Sequence, residues 1–178
     1  MPIQIASRRL SEVRLRRRFG DALILDVTSR GPEPWVRFSP FFAHGGIPIP
    51  FTPGSFGASV EGIWQGLKVF ETSDVDTKTI ENTTMRGMKR TVSKFGKVLG
   101  HREGVCGTRL LSYEDARKQI YIPTYEWVLE NRLHEELEQL YSLANTQNVV
   151  LLDYETNTNA ENLSRPLSHA GVIREYCS

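Results

Sequence analysis

The stretch Ser59-Val60-Glu61-Gly62-Ile63-Trp64-Gln65-Gly66-Leu67-Lys68-Val69-Phe70 sets a carboxylate, an amide and an amine at helical spacing. On an α-helix, Glu61, Gln65 and Lys68 share an arc of about 60°. Val60, Ile63, Trp64, Leu67 and Phe70 fill the adjoining apolar arc. The pattern predicts a helix over roughly 59–71, capped by Ser55 or Ser59. Glu61 then lies in the first turn, where the helix dipole favours the ionised carboxylate. Such a group serves as a base or a nucleophile at neutral pH. The same polar spacing is also what an ordinary solvent-facing helix displays. Gly62 and Gly66 lie on a third side and each costs about 1 kcal/mol relative to alanine. Two of them in so short a helix predict a backbone that something approaches closely.

Other candidates are scattered. Asp153 closes the apolar run Asn148-Val149-Val150-Leu151-Leu152. A carboxylate at a strand end serves either a site or a turn, and Glu155 follows it as an alternative acid. His169 titrates near neutrality and is a candidate proton shuttle; His44 lies in the loop before Glu61. His44, His101, His134 and His169 share no HxxxH spacing, so no metal site is expected. Gly45-Gly46 alone is too little for a phosphate cradle, and no Walker or Gly-x-Gly-x-x-Gly loop occurs. No cofactor is therefore expected.

Charge is distributed in blocks. Lys and Arg number 22 against 21 Asp and Glu, so the net charge of +1 says nothing about partners. Residues 1–20, however, hold Arg8, Arg9, Arg14, Arg16, Arg17 and Arg18 against Glu12. Residues 86–102 hold Arg86, Lys89, Arg90, Lys94, Lys97 and Arg102 without an acid. Two basic stretches suit a phosphate-bearing ligand or nucleic acid, or are simply solvated faces.

The elements that must position these groups follow from patterning. Strands are expected at 2–6, 22–28 and 148–153, the last two as buried apolar runs. Residues 8–18 read as a basic helix or arm, and Trp35 to Phe38 as a short extended piece. Residues 39–57 form a Gly/Pro-rich loop, and 77–104 short helices and loops. Helices are expected at 112–120, 123–144 and 166–176, Pro123 fitting a first turn. Strands and helices do not alternate regularly, so the class is α+β. A length of 178 residues predicts a single domain, 1–178, with a basic N-terminal arm at about 1–20. No apolar run approaches a membrane span, and no secretory signal is expected. Two cysteines without a CxxC fit a reducing, cytoplasmic setting.

Phe38-Ser39-Pro40-Phe41, the Gly/Pro loop and Val60-Glu61-Gly62-Ile63-Trp64-Gln65-Gly66-Leu67-Lys68 together resemble the YbiA-like or NADAR (NAD and ADP-ribose) superfamily, over residues 36–70. That family carries Phe-Ser-Asn-Phe, a loop, and a Val-Glu-His-Tyr-Phe-Gln-Ala-x-Lys helix. Pro40 stands where the family has asparagine and Gly62 where it has histidine. Asn157-Thr158-Asn159 is at best a remnant of its Asn-Asp-x-Trp-Gly segment. The resemblance implies a mainly helical α+β domain with a small sheet, and hydrolysis of an N-glycosidic bond to ribose. The partner would be a phosphate-bearing ribosyl small molecule or an ADP-ribosylated nucleobase.

On that resemblance Glu61 stabilises the oxocarbenium-like cation or activates water. Asp153 would protonate the leaving base. Gln65 would bind ribose hydroxyls or hold Glu61, and Lys68 would bind phosphate or keep Glu61 ionised. Arg86, Lys89 and Arg90 would take phosphates. Trp35, Phe38 or Trp64 would stack on a base, with Asn157 and His169 completing the site. Two alternatives stand beside it: a non-catalytic ADP-ribose or nucleotide-binding module, and a nucleic-acid-binding protein.

Overall fold

The computed structural model describes residues 3–178. In chain order the elements are β1 (Ile3–Ser7), α1 (Glu12–Phe19), β2 (Leu23–Asp26), β3 (Ile47–Pro48), β4 (Phe56–Gly57), α2 (Val60–Gly66), β5 (Lys68–Phe70), α3 (Thr77–Ile80), α4 (Val92–Phe95), β6 (Val98–Arg102), β7 (Leu110–Leu111), α5 (Tyr113–Ala116), α6 (Ile122–Arg132), α7 (His134–Thr146), β8 (Val149–Asp153) and α8 (His169–Tyr176). The class is α+β. The chain forms two compact units, one comprising residues up to Ser39 together with Leu129–Ser178, the other Pro40–Val128.

The first unit is built on a parallel three-stranded sheet in the order β1-β8-β2. Val149 of β8 pairs with both Ile3 and Leu23. Every residue of β8 is buried, which is why its sequence is an unbroken apolar run instead of an alternating one. Ala6, Leu15, Ala22, Val150 and Leu152 form a core cluster that seats α1 on the sheet. The basic stretch is therefore a packed helix held by Leu15, with Ser11 accepting from the Arg14 amide at its start.

The second unit holds an antiparallel sheet in the order β5-β6-β7. Here the structure departs from the expected helix over 59–71. The helix stops at Gly66, and Lys68–Phe70 become a strand paired to β6, with Lys68 opposite His101 and Val69 opposite Gly100. Two glycines weaken the helix, while a β-branched and an aromatic residue favour the pleated ladder. The strand β6 lies in a region expected to hold only short helices and loops.

Three further boundaries move. Trp35–Phe38 is a single 3-10 turn, not an extended piece. Residues 113–132 run on through a π-helical turn at Arg117–Tyr121 into α6. That turn falls just before Pro123, whose ring nitrogen has no proton to donate to a regular helical ladder. The helix expected over 123–144 breaks at Leu133, which is fully buried and has φ −126°. No glycine or proline marks that break; enclosure of the leucine side chain does.

Candidate functional site

The best-organised polar cluster of the second unit grows from α2. The Ser59 hydroxyl accepts from the Gly62 amide at 2.9 Å and starts the helix. The Glu61 amide donates to the Pro40 carbonyl at 2.8 Å, pinning the loop to the same turn. The expected close approach at the glycines is real. A Cβ on Gly62 would lie 2.8 Å from the Thr79 carbonyl oxygen, and one on Gly66 would lie 2.9 Å from that of Asp76 and overlap Ile80. Only glycine lets α3 lie this close to α2.

Glu61 is not on a solvent face. It is 8% exposed and Gln65 7%. The Gln65 Nε2 donates to Glu61 Oε1 at 2.9 Å. The Gln65 Oε1 accepts from Lys68 Nζ at 3.2 Å and from the Arg90 amide at 3.2 Å. Two donors on one side of the amide and a carboxylate on the other fix its orientation. The result is a relay of carboxylate, amide and ammonium, with the amide as the rigid middle. Burial lowers the Lys68 pKa, Glu61 opposes that, and Arg90 and Lys89 add to it.

Arg90 does not point to a ligand. It is buried, and its Nη1 donates to the carbonyls of Gln65 at 3.1 Å and Lys68 at 2.5 Å. Its Nη2 donates to Ser73 Oγ and the Asp74 carbonyl, both at 2.7 Å. The guanidinium staples the end of α2 to the start of β5, which corrects its expected role as a phosphate ligand. Arg102 is likewise taken, gripping the Asp74 carboxylate with Nε at 3.0 Å and Nη2 at 2.7 Å. Arg86 and Lys89 are exposed, the latter 6.0 Å from the Phe41 ring centre.

The aromatic expectations also redistribute. Phe38 is fully buried and Trp35 is 8% exposed, and the two rings stack on each other within the first unit. They are packing residues, not platforms for a base. Trp64, assigned to the core arc, is half-buried among other rings. Its ring centre lies 5.8 Å from Lys68 Nζ, 3.8 Å from the His101 ring and 5.5 Å from that of Tyr121.

His101 is the residue that sequence reasoning passed over. It is fully buried, opposite Lys68 in the ladder, and neither ring nitrogen has a hydrogen-bond partner among the described residues. Burial, with the charge of Lys68, lowers its pKa to about 3, so the ring is neutral. No local spacing signals it, because its neighbours come from α2 and β5.

Asp153 and His169 form a separate cluster in the first unit. Asp153 Oδ2 accepts from Ser168 Oγ at 2.7 Å, His169 Nδ1 at 2.9 Å and the Ala170 amide at 3.3 Å. His169 Nε2 lies 2.9 Å from the Val27 carbonyl oxygen. Burial raises the Asp153 pKa, but His169, Ser168 and the Ala170 amide outweigh it, and the net shift is downward. A carboxylate that these donors hold in its ionised form has no proton to donate to a leaving base. The structure thus corrects Asp153 from general acid to anchor of α8, and His169 from proton shuttle to part of the same anchor. Asn157 is also structural, its Nδ2 donating to the carbonyls of Asn162 at 2.9 Å and Arg165 at 3.2 Å.

Among the described residues no group of His, Cys, Asp and Glu is placed to hold a metal ion, and no helix is long and apolar enough to cross a membrane. A family model described as a family of unknown function, DUF6939, matches residues 7–173. No curated protein and no solved structure matches the chain.

Proposed function

The chain belongs to the DUF6939 family, and we propose that it is an N-glycoside hydrolase acting on a ribosyl N-glycosidic bond in a nucleotide-like or ADP-ribosylated substrate. One observation carries this reading: Glu61 is a buried carboxylate held by Gln65 in a relay that ends on Lys68. Cleaving a ribosyl C–N bond builds positive charge on the anomeric carbon. A fixed carboxylate away from bulk water stabilises that charge strongly, because it needs no reorganisation as the charge develops. The same oxygen can orient or deprotonate the attacking water. Gln65 holds the carboxylate's direction, and Lys68 adds a nearby positive charge suited to a substrate phosphate. The half-buried indole of Trp64 offers a ring for base stacking beside that ammonium.

The test is base release, followed chromatographically, from NAD, ADP-ribosylated DNA and pyrimidine ribosylamines. Turnover of one member is expected, with loss of about 100- to 1,000-fold in Glu61→Gln, the size typical of removing one electrostatic stabiliser. Unchanged turnover in that variant removes Glu61 from the mechanism.

A second reading, binding to nucleic acid, is favoured by α1, whose Arg14 and Arg17, with the preceding Arg9, are exposed. A steep loss of DNA or RNA binding with rising salt supports it, and no binding at low salt dismisses it.

A further inference from the structure

We propose that His101 is a ligand-binding residue of the Glu61 site, a neutral imidazole that offers one donor and one acceptor to the hydroxyl groups of a sugar. This rests on the reading of the site as one for a ribosyl ligand.

Three observations carry the proposal. The ring is fully buried, yet neither Nδ1 nor Nε2 has a hydrogen-bond partner among the described residues. Buried polar atoms in native proteins are almost always matched, so two unmatched atoms on one ring mark a group whose partner is supplied from elsewhere. The position is the second observation. His101 stands opposite Lys68 across the β5–β6 ladder and stacks on Trp64 with an interplanar angle of 29°. It therefore adjoins two groups that border Glu61 and Gln65. Its chemistry is the third. Phenylalanine would stack on Trp64 equally well without burying two polar atoms, so packing alone does not account for an imidazole here. A neutral imidazole carries one N–H and one bare nitrogen. A hydroxyl, which both donates and accepts, matches either edge, whereas a carboxylate or phosphate matches only the N–H. The half-buried indole of Trp64 lies against one face of the ring, and the imidazole nitrogens lie on the ring edge.

The experiment pairs stability with binding. His101→Phe keeps the stack and removes both unmatched atoms; its thermal midpoint should rise by a few degrees. Its affinity for ribose 5-phosphate, which has no N-glycosidic bond, and for ADP-ribose, whose terminal ribose carries no base, should fall at least tenfold. His101→Gln keeps a donor and an acceptor and should retain affinity within about threefold. In the wild type, the ring 15N resonance that His101→Phe deletes should shift when ribose 5-phosphate is added. A lower midpoint in His101→Phe overturns the proposal, since it means that the ring already has an internal partner. Wild-type binding that survives His101→Phe overturns it while leaving the ribosyl site intact. No binding of either probe by the wild type overturns both.

Discussion

Each unit holds a buried carboxylate in a polar cluster, Asp153 in the first and Glu61 in the second, and these two clusters differ in how completely their groups are matched. Around Asp153, one oxygen takes three donors, and both nitrogens of His169 reach an acceptor. Val27 presents a carbonyl to one ring nitrogen and Asp153 a carboxylate to the other. This cluster ties the end of β8 to the start of α8 and the exit of β2. Around Glu61, the relay through Gln65 to Lys68 is ordered, but burial destabilises the ammonium, and the ring nitrogens of His101 beside it have no hydrogen-bond partner among the described residues. A cluster whose every group is matched returns its desolvation cost as stability. One with unmatched groups keeps a capacity for hydrogen bonding that the fold itself does not use. Burial of acid and histidine is common to both; saturation separates the anchor from the site.

The largest expected difference is in Asp153→Ala. It removes the carboxylate that buried His169 Nδ1 and the Ser168 hydroxyl both reach. Breaking a buried pair in this way costs about 3–5 kcal/mol, which in a chain of this size lowers the thermal midpoint by roughly 10 °C. Glu61→Gln should leave the midpoint within about 3 °C, since the amide keeps the side chain's shape and the oxygen that accepts from Gln65 Nε2. A destabilised Glu61→Gln beside an unaffected Asp153→Ala would reverse the comparison.

The pH response sharpens it. In the fold, His101 titrates at about 3 instead of 6.5. Between those values the unfolded chain binds a proton that the folded chain does not. Stability should therefore fall as pH drops from 6.5 toward 3, by several kcal/mol at about 1.4 kcal/mol per unit. Above 6.5 this group has no effect. Asp153 works in another window. Its folded pKa lies below 3.8, so its contribution is complete above 3.8 and is lost as pH falls further. Chemical denaturation of the wild type and of His101→Phe at a series of pH values measures both. The slope between 6.5 and 3.8 should flatten in the variant, while the loss below 3.8 remains.

A smaller effect than that of Asp153→Ala concerns the helix that carries Glu61. In Gly66→Ala the added carbon overlaps Ile80, and overpacking of this kind costs about 1–3 kcal/mol. Midpoint and turnover should both decline, because α2 carries Glu61 and Gln65. An unchanged midpoint would show that α3 yields freely.

Legibility in the sequence followed contact range. The strands expected at 22–28 and 148–153 exist because unbroken apolar runs bounded by polar residues are local signals, and they meet as neighbours in one sheet; the first is shorter, Leu23–Asp26, and only Leu25 of it is buried, whereas β8 is buried throughout. Glu61 and Gln65 read as neighbours because residues four apart share a helix face, and their side chains bond. Arg90 read as a free cation because its spacing places no acid nearby. Its partners are backbone carbonyls, which no sequence pattern displays. Lys68 was placed on the helix but starts a strand; the contact with Gln65 survives because the turn at Leu67 keeps the two close.

The sequence by itself determined which residues can reach one another within a turn of helix or along one strand: the Ser59 cap, the Glu61–Gln65 pair, the glycine side of α2 and the apolar strands. Those relations depend on spacing of a few residues, and the helical and extended periods fix them. Only the tertiary structure decided that His101 lies opposite Lys68, that Arg90 is consumed by carbonyls, and that His169 reaches Val27 across 142 positions of chain. Such contacts depend on which elements pack together. That choice is made by the summed burial of apolar faces, and no single residue announces it.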